Sequence, residues 1–121
     1  MVVVLLSILG CVSNMEIFFI LVMVHYLCDF ALQNDFVAKF KAIKINDEYN
    51  PIWYHCLIAH CAIHSLGVYV VTKSIWLSAI MFVTHFIIDQ SKCLNKLTFN
   101  QDQFLHFIVI AAISLIYSGV I

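Results

Sequence analysis

Eight ionisable side chains stand in four pairs, each pair four residues apart inside an apolar run: His25 and Asp29, His60 and His64, His85 and Asp89, Asp102 and His106. On a helix, residues four apart share one face, one turn above the other. Each of four hydrophobic segments therefore offers two potential ligands on one stripe. Unpaired in apolar surroundings such groups cost several kcal/mol each, so a fold that holds them has to bring the stripes together.

Composition says what surrounds the stripes. The chain is 64% hydrophobic and 11% charged, far from the balance of a soluble domain, which places a single domain of 121 residues in a bilayer. All six basic residues are lysines, the net charge is −1, and no Gly-rich phosphate loop is present, so nucleic acid is not an expected partner. Five cysteines, Cys11, Cys28, Cys56, Cys61 and Cys93, make no CxxC pair and read as small buried hydrophobes rather than a disulfide framework. Cys56 or Cys61 as an extra metal ligand is the alternative.

The expected fold is all-α: a bundle of four transmembrane helices over about 17–32, 52–72, 74–88 and 102–121, plus a short interfacial basic helix. Residues 1–14 read as an N-terminal apolar extension, too short to span, with Met15 an alternative start. In the segment after the first span, Phe36, Val37, Phe40 and Ile43 recur at helical spacing with Lys39, Lys41 and Lys44 between them, the pattern of a helix lying on anionic headgroups. Asn50-Pro51 suggests an N-cap for the second span, and Asn100 with Gln103 a capping box for the fourth. Only Lys73 and its neighbours separate spans two and three, which implies a tight antiparallel hairpin.

Lys39, Lys41, Lys44, Lys92 and Lys96 follow spans one and three, and Lys73 lies in the opposite loop. By the positive-inside rule those two loops are cytoplasmic and both termini are outside. Trp53 and Tyr54 then suit the inner interface, Trp76 and Tyr117 the outer one. In this topology every pair falls at the cytoplasmic end of its span, so all eight residues share one depth. His55 stands outside the pattern and reads as a hydrogen-bonded core residue near the interface.

A metal neutralises such a cluster most completely. Three carboxylates among five imidazoles suit two divalent ions with a bridging hydroxide, or one ion with three or four ligands and the rest as supporting groups. The expected ligands are His25, Asp29, His60, His64, His85, Asp89, Asp102 and His106. Zinc is the expected ion, with manganese or iron as alternatives.

The run His25-Tyr-Leu-Cys-Asp29-Phe-Ala-Leu-Gln33 with Ala38 and Lys41, then His60-x-x-x-His64, His85-Phe-Ile-Ile-Asp89-Gln-Ser-Lys92 and Asp102-Gln103-Phe-Leu-His106, resembles the domain-of-unknown-function 3307 family of small bacterial and phage membrane proteins. The resemblance covers about residues 17–115. It adds Gln33, Lys41, Lys92 and Gln103 to the candidate site, implies a bacterial inner membrane as the location, and implies no activity. The apolar segment before Met15 departs from it.

The expected function is a metal-dependent hydrolase acting on an ester or phosphoester at the cytoplasmic leaflet, with Asp29, Asp89, Asp102 and Lys92 as catalytic residues and membrane lipid or a lipid-linked phosphoester as partner. Lys92 would meet a phosphate, or simply anchor the helix end. A metal or proton transporter, and a structural or interaction protein with a polar core, are the alternatives. Either could act as a homo-oligomer. A di-iron bundle is disfavoured, since the only glutamates are Glu16 and Glu48.

Overall fold

The computed structural model describes residues 15–121, and the expected N-terminal extension at 1–14 lies outside that range. The fold is all-α. Helix α1 spans residues 15–26 and continues into a π-helical turn, Leu27–Ala31. Short α2 (Asp35–Phe40) follows, then α3 (Trp53–Thr72), α4 (Ile75–Cys93) and α5 (Phe99–Tyr117). Two of these, α3 and α5, are long and apolar enough to cross a membrane. Helix α4 has the length, but Asp89 to Lys92 make its last turn polar.

Burial is inverted relative to a soluble bundle. On α3 the inward positions include His60 and His64, whereas Ile58, Leu66, Tyr69 and Val70 lie on the outer surface. The same holds on α5, where Asp102, Gln103 and His106 are buried and Phe104 and Ile108 are exposed. The other half of the bundle has an ordinary core: Leu21, Val68, Leu77, Met81, Ile110 and Ile113 pack into one apolar cluster.

Local chemistry sets the corners. Lys73 takes a left-handed conformation (φ 55°), its N–H bonds Tyr69 O at 2.7 Å, and Ser74 then caps α4 by accepting from Leu77 N. Just inside this corner Ser65 and Ser78 each donate to the other's carbonyl at 2.8 Å, the exchange that small hydroxyl residues allow between close helices.

Several expectations change. The basic surface helix stops at Phe40: Asn34 caps it, but Lys41 leaves the helical path, becomes buried and pairs with Asp89. Lys44 then enters a two-stranded hairpin, β1 (Lys44–Ile45) with β2 (Glu48–Tyr49), across Asn46 and Asp47, both at positive φ as a two-residue turn of this kind requires. Asn50 does not cap α3. Its side-chain amide instead donates to Phe40 O at 2.6 Å and Ala42 O at 3.0 Å, closing the loop, and α3 begins at Trp53.

The capping box of α5 belongs to Thr98 and Gln101, two residues before the expected pair, which frees Gln103 to point inward. Helix α4 runs to Cys93, beyond the expected end at 88. His55 is exposed and lies against the Tyr54 ring, so it is not a core residue.

Helices α1 and α3 approach closely at Gly67, where an added Cβ would meet Val24 Cγ1 at 2.5 Å. Gly67→Ala is expected to lower stability by about 1–3 kcal/mol through overpacking, and adding Val24→Ala to restore most of it. Thermal unfolding of the single and double variants in detergent checks this. Equal melting of the single variant and wild type would show that the helices are not held at this distance.

Candidate metal centre

Asp29 is the hub. Its Oδ1 lies 3.0 Å from His64 Nε2, 3.2 Å from His60 Nε2 and 3.9 Å from His85 Nε2. Its Oδ2 lies 3.3 Å from His25 Nε2 and accepts from Gln103 Nε2 at 3.0 Å. The π-helical turn carries Asp29 at its centre. Such wide turns recur at functional sites because they re-aim a side chain that a regular helix would hold in register. Here the last backbone bond of the turn is Leu32 N to Leu27 O, and the Gln33 side chain donates to the Asp29 carbonyl at 3.1 Å.

Four imidazoles approach this carboxylate from α1, α3 and α4, and His106 of α5 stacks on His85 beside them; all five are at 2% exposure or less. His85 is central: its ring stacks on His64 at 3.7 Å and on His106 at 4.2 Å, and its Nε2 faces His60 Nε2 at 3.2 Å. The Nδ1 atoms of His25, His60, His85 and His106 are buried and have no hydrogen-bond partner among the described residues. Ring orientation is therefore set by stacking and by whatever meets the inward Nε2 atoms. Two facing Nε2 atoms share at most one proton, so one of this pair presents a bare lone pair to the centre.

Two sets of ligand atoms lie within 4.8 Å of one another: Asp29, His60, His64 and His85, and His25, His85 and His106. A tetrahedral ion with bonds of 2.0–2.1 Å separates its ligands by about 3.3 Å. The Asp29–His60, Asp29–His64 and His60–His85 distances, 3.2, 3.0 and 3.2 Å, fall just below that value, and Asp29–His85, at 3.9 Å, lies above it. His85 belongs to both sets and its Nε2 has one lone pair, so that nitrogen serves one ion at a time. Cys56 and Cys61 are buried but belong to neither set.

The remaining carboxylates are buried beside the centre and engaged elsewhere. Asp89 receives Lys41 Nζ at 2.8 and 3.0 Å, and the same ammonium reaches Gln33 Oε1 at 2.7 Å. Asp102 Oδ1 sits 3.5 Å from His106 Nε2, while its Oδ2 accepts from Gln103 at 3.1 Å and from Lys92 at 3.4 Å. Neither joins the two ligand sets. A cavity of about 90 Å³ lined by Asp29, Gln33, Lys41, Asp89, Lys92 and Gln103, with Phe30 and Phe99 at its rim, opens onto this layer.

All eight expected ligands thus meet in one buried region, with Gln33, Lys41, Lys92 and Gln103 around it. A family model described as a protein of unknown function, DUF3307, matches residues 17–120, nearly the whole chain. The chain belongs to the DUF3307 family. No curated protein and no solved structure matches it. The polar positions that mark the DUF3307 resemblance are those that line this site. Sequence reasoning missed the hub role of Asp29, because a π turn has no spacing signal, and the Lys41–Asp89 pair, whose members are 48 residues apart.

The buried pair gives a clear test. Lys41→Met leaves the Asp89 carboxylate uncompensated and is expected to destabilise by about 3–5 kcal/mol, whereas Lys41→Met with Asp89→Leu returns close to wild type. Unfolding of both variants in detergent distinguishes them. A double variant as unstable as the single one would mean that the pair is not what holds α4 to the α2 loop.

Proposed function

We propose that the protein is a four-helix transmembrane metalloprotein, and that it hydrolyses an ester or phosphoester at the cytoplasmic leaflet. The observation that carries this is the ring of inward Nε2 atoms around Asp29, at separations an ion of zinc size requires, in a bundle whose outer surface is apolar. The inverted burial supports a bilayer as the surrounding solvent for α1, α3, α4 and α5, since water would favour the opposite pattern. Lysine asymmetry supports a cytoplasmic position for the end that holds the cluster.

Charge balance favours one ion over two. Lys41 offsets Asp89 and Lys92 offsets Asp102, which leaves Asp29 as the carboxylate of the eight without a lysine partner. Asp29, His60, His64 and His85 are its proposed ligands. A divalent ion held there supplies Lewis acidity and an acidified water. His106 Nε2 lies 3.5 Å from Asp102 Oδ1, so a proton held at that nitrogen faces this carboxylate. Asp102 connects that nitrogen to Gln103 and Lys92 at the mouth.

The apolar cluster of Leu21, Val68, Leu77, Met81, Ile110 and Ile113 argues against transport, because a transit path needs polar groups on both sides of the site. An ion-free polar core is the competing reading. It is favoured by the donors Asp29 already has in His60, His64 and Gln103.

In lipid nanodiscs, zinc-loaded wild type is expected to turn over at least one member of a panel of lipid and soluble phosphoesters. His106→Ala should cut the rate by roughly 10²–10⁴-fold while the ion stays bound, and His64→Ala should lose the ion. An intact panel would sink the hydrolase. Zinc flux into sealed vesicles without product would put the transporter in its place.

A further inference from the structure

Beside the polar mouth, between α1 and α5, lies a second groove of about 400 Å³. Tyr26, Phe30, Phe99, Phe104 and Phe107 line its walls together with the polar Asn100, and Gln103 lies at its floor. Phe30, Phe99 and Gln103 also border the small polar cavity, so the two form one continuous surface, apolar along the helices and cationic at its end. Gln103 is the side chain that divides the groove from the hub: its Nε2 donates to Asp29 and Asp102, and its Oε1 lies 3.4 Å from His25 Nε2.

The two lysines at the mouth differ in what they have left to give. An ammonium has three N–H donors. Lys41 is buried, donates to Asp89 Oδ1 and to Gln33 Oε1, and lies 2.8 Å from Asp89 Oδ2. Lys92 makes a single long contact to Asp102 at 3.4 Å, its side chain is 32% exposed, and its Nζ stands over the Phe99 ring at 4.9 Å. It therefore has donors for an anionic oxygen at the point where the aromatic groove ends. From Phe99 the groove follows α5 to Phe107, about 12 Å along the helix axis. A soluble phosphoester has no use for that apolar length.

We propose that this groove seats a phosphate-bearing lipid, with the phosphate at Lys92 and one acyl tail along Tyr26, Phe30, Phe104 and Phe107. The assignment deepens the hydrolase reading by naming its substrate class, and it rests on that reading only for the fate of the bound lipid. Entry is lateral, from the leaflet, because the groove walls Phe30, Phe99 and Phe104 are more than half exposed on the outer surface. The head group then lies against Gln103, one side chain away from Asp29.

Binding is separable from turnover, and native mass spectrometry of the full chain reads it directly. The probes are phosphatidic acid, diacylglycerol with the same tails, phosphatidylcholine and soluble glycerol phosphate. One phosphatidic acid per chain is expected to be retained and diacylglycerol to be lost, with glycerol phosphate unable to displace the lipid at equal concentration. Retention of phosphatidylcholine equal to that of phosphatidic acid would still fit a phosphate contact, whereas equal retention of diacylglycerol would overturn it.

Lys92→Gln should weaken phosphatidic acid by about tenfold, the loss of one charge-assisted contact. Phe104→Ser should weaken phosphatidic acid without changing the weak binding of glycerol phosphate. Unchanged lipid affinity in both variants, or glycerol phosphate bound as tightly as the lipid, would overturn the proposal. His85→Ala is expected to keep the lipid even if it loses the ion. Lipid retained by wild type that is never cleaved would remove the hydrolase and leave the groove assignment standing.

Discussion

A carboxylate ringed by imidazoles in an apolar bundle is the constraint on which the rest depends. Asp29 lies where bulk water does not reach freely, and an ionised group there needs either several N–H donors or a cation. The chain supplies donors from four helices, and each of those helices has to be rotated to aim its histidine at one point. That requirement sets the packing. His25 and Asp29 orient α1, His60 and His64 orient α3, His85 orients α4 and His106 orients α5.

Shape and polar contacts are both visible at the helix interfaces. Gly67 lets Val24 pack against α3, the Ser65–Ser78 exchange closes the α3–α4 corner, and the Lys41–Asp89 pair ties the loop after α2 to α4. The sealed apolar half, around Ile110 and Ile113, and the polar half, around Asp29, then divide the bundle by depth. One half is a packed apolar cluster and the other opens into a polar cavity. A lysine at that mouth and an aromatic wall beside it extend the polar half to the surface.

Much of this was legible in the sequence because it depends on periodicity. Four-apart pairs on apolar helices have to share a face, so the meeting of His25, His60, His64, His85 and His106 follows from spacing and span order alone. What stayed hidden depends on contacts between distant residues. Lys41 reads as a surface lysine until Asp89 is placed beside it, and Asn50 reads as a helix cap until the carbonyls of Phe40 and Ala42 come within reach. The capping box slipped by two residues because Thr98–Gln101 and Asn100–Gln103 both fit the pattern, and only the inward need for Gln103 separates them. The aromatic groove gave no signal, since Phe99, Phe104 and Phe107 are ordinary outer-face residues of an apolar helix.

The central claim is that the Nε2 atoms around Asp29 hold an ion rather than only protons. X-ray absorption at the zinc edge, with elemental analysis of the same zinc-loaded sample, tests it most directly. One tightly held ion per chain is expected, with a first shell of nitrogen and oxygen at about 2.0–2.1 Å, imidazole scattering behind it and no sulfur. Folded protein that retains no zinc, or zinc held through sulfur at about 2.3 Å, would contradict it.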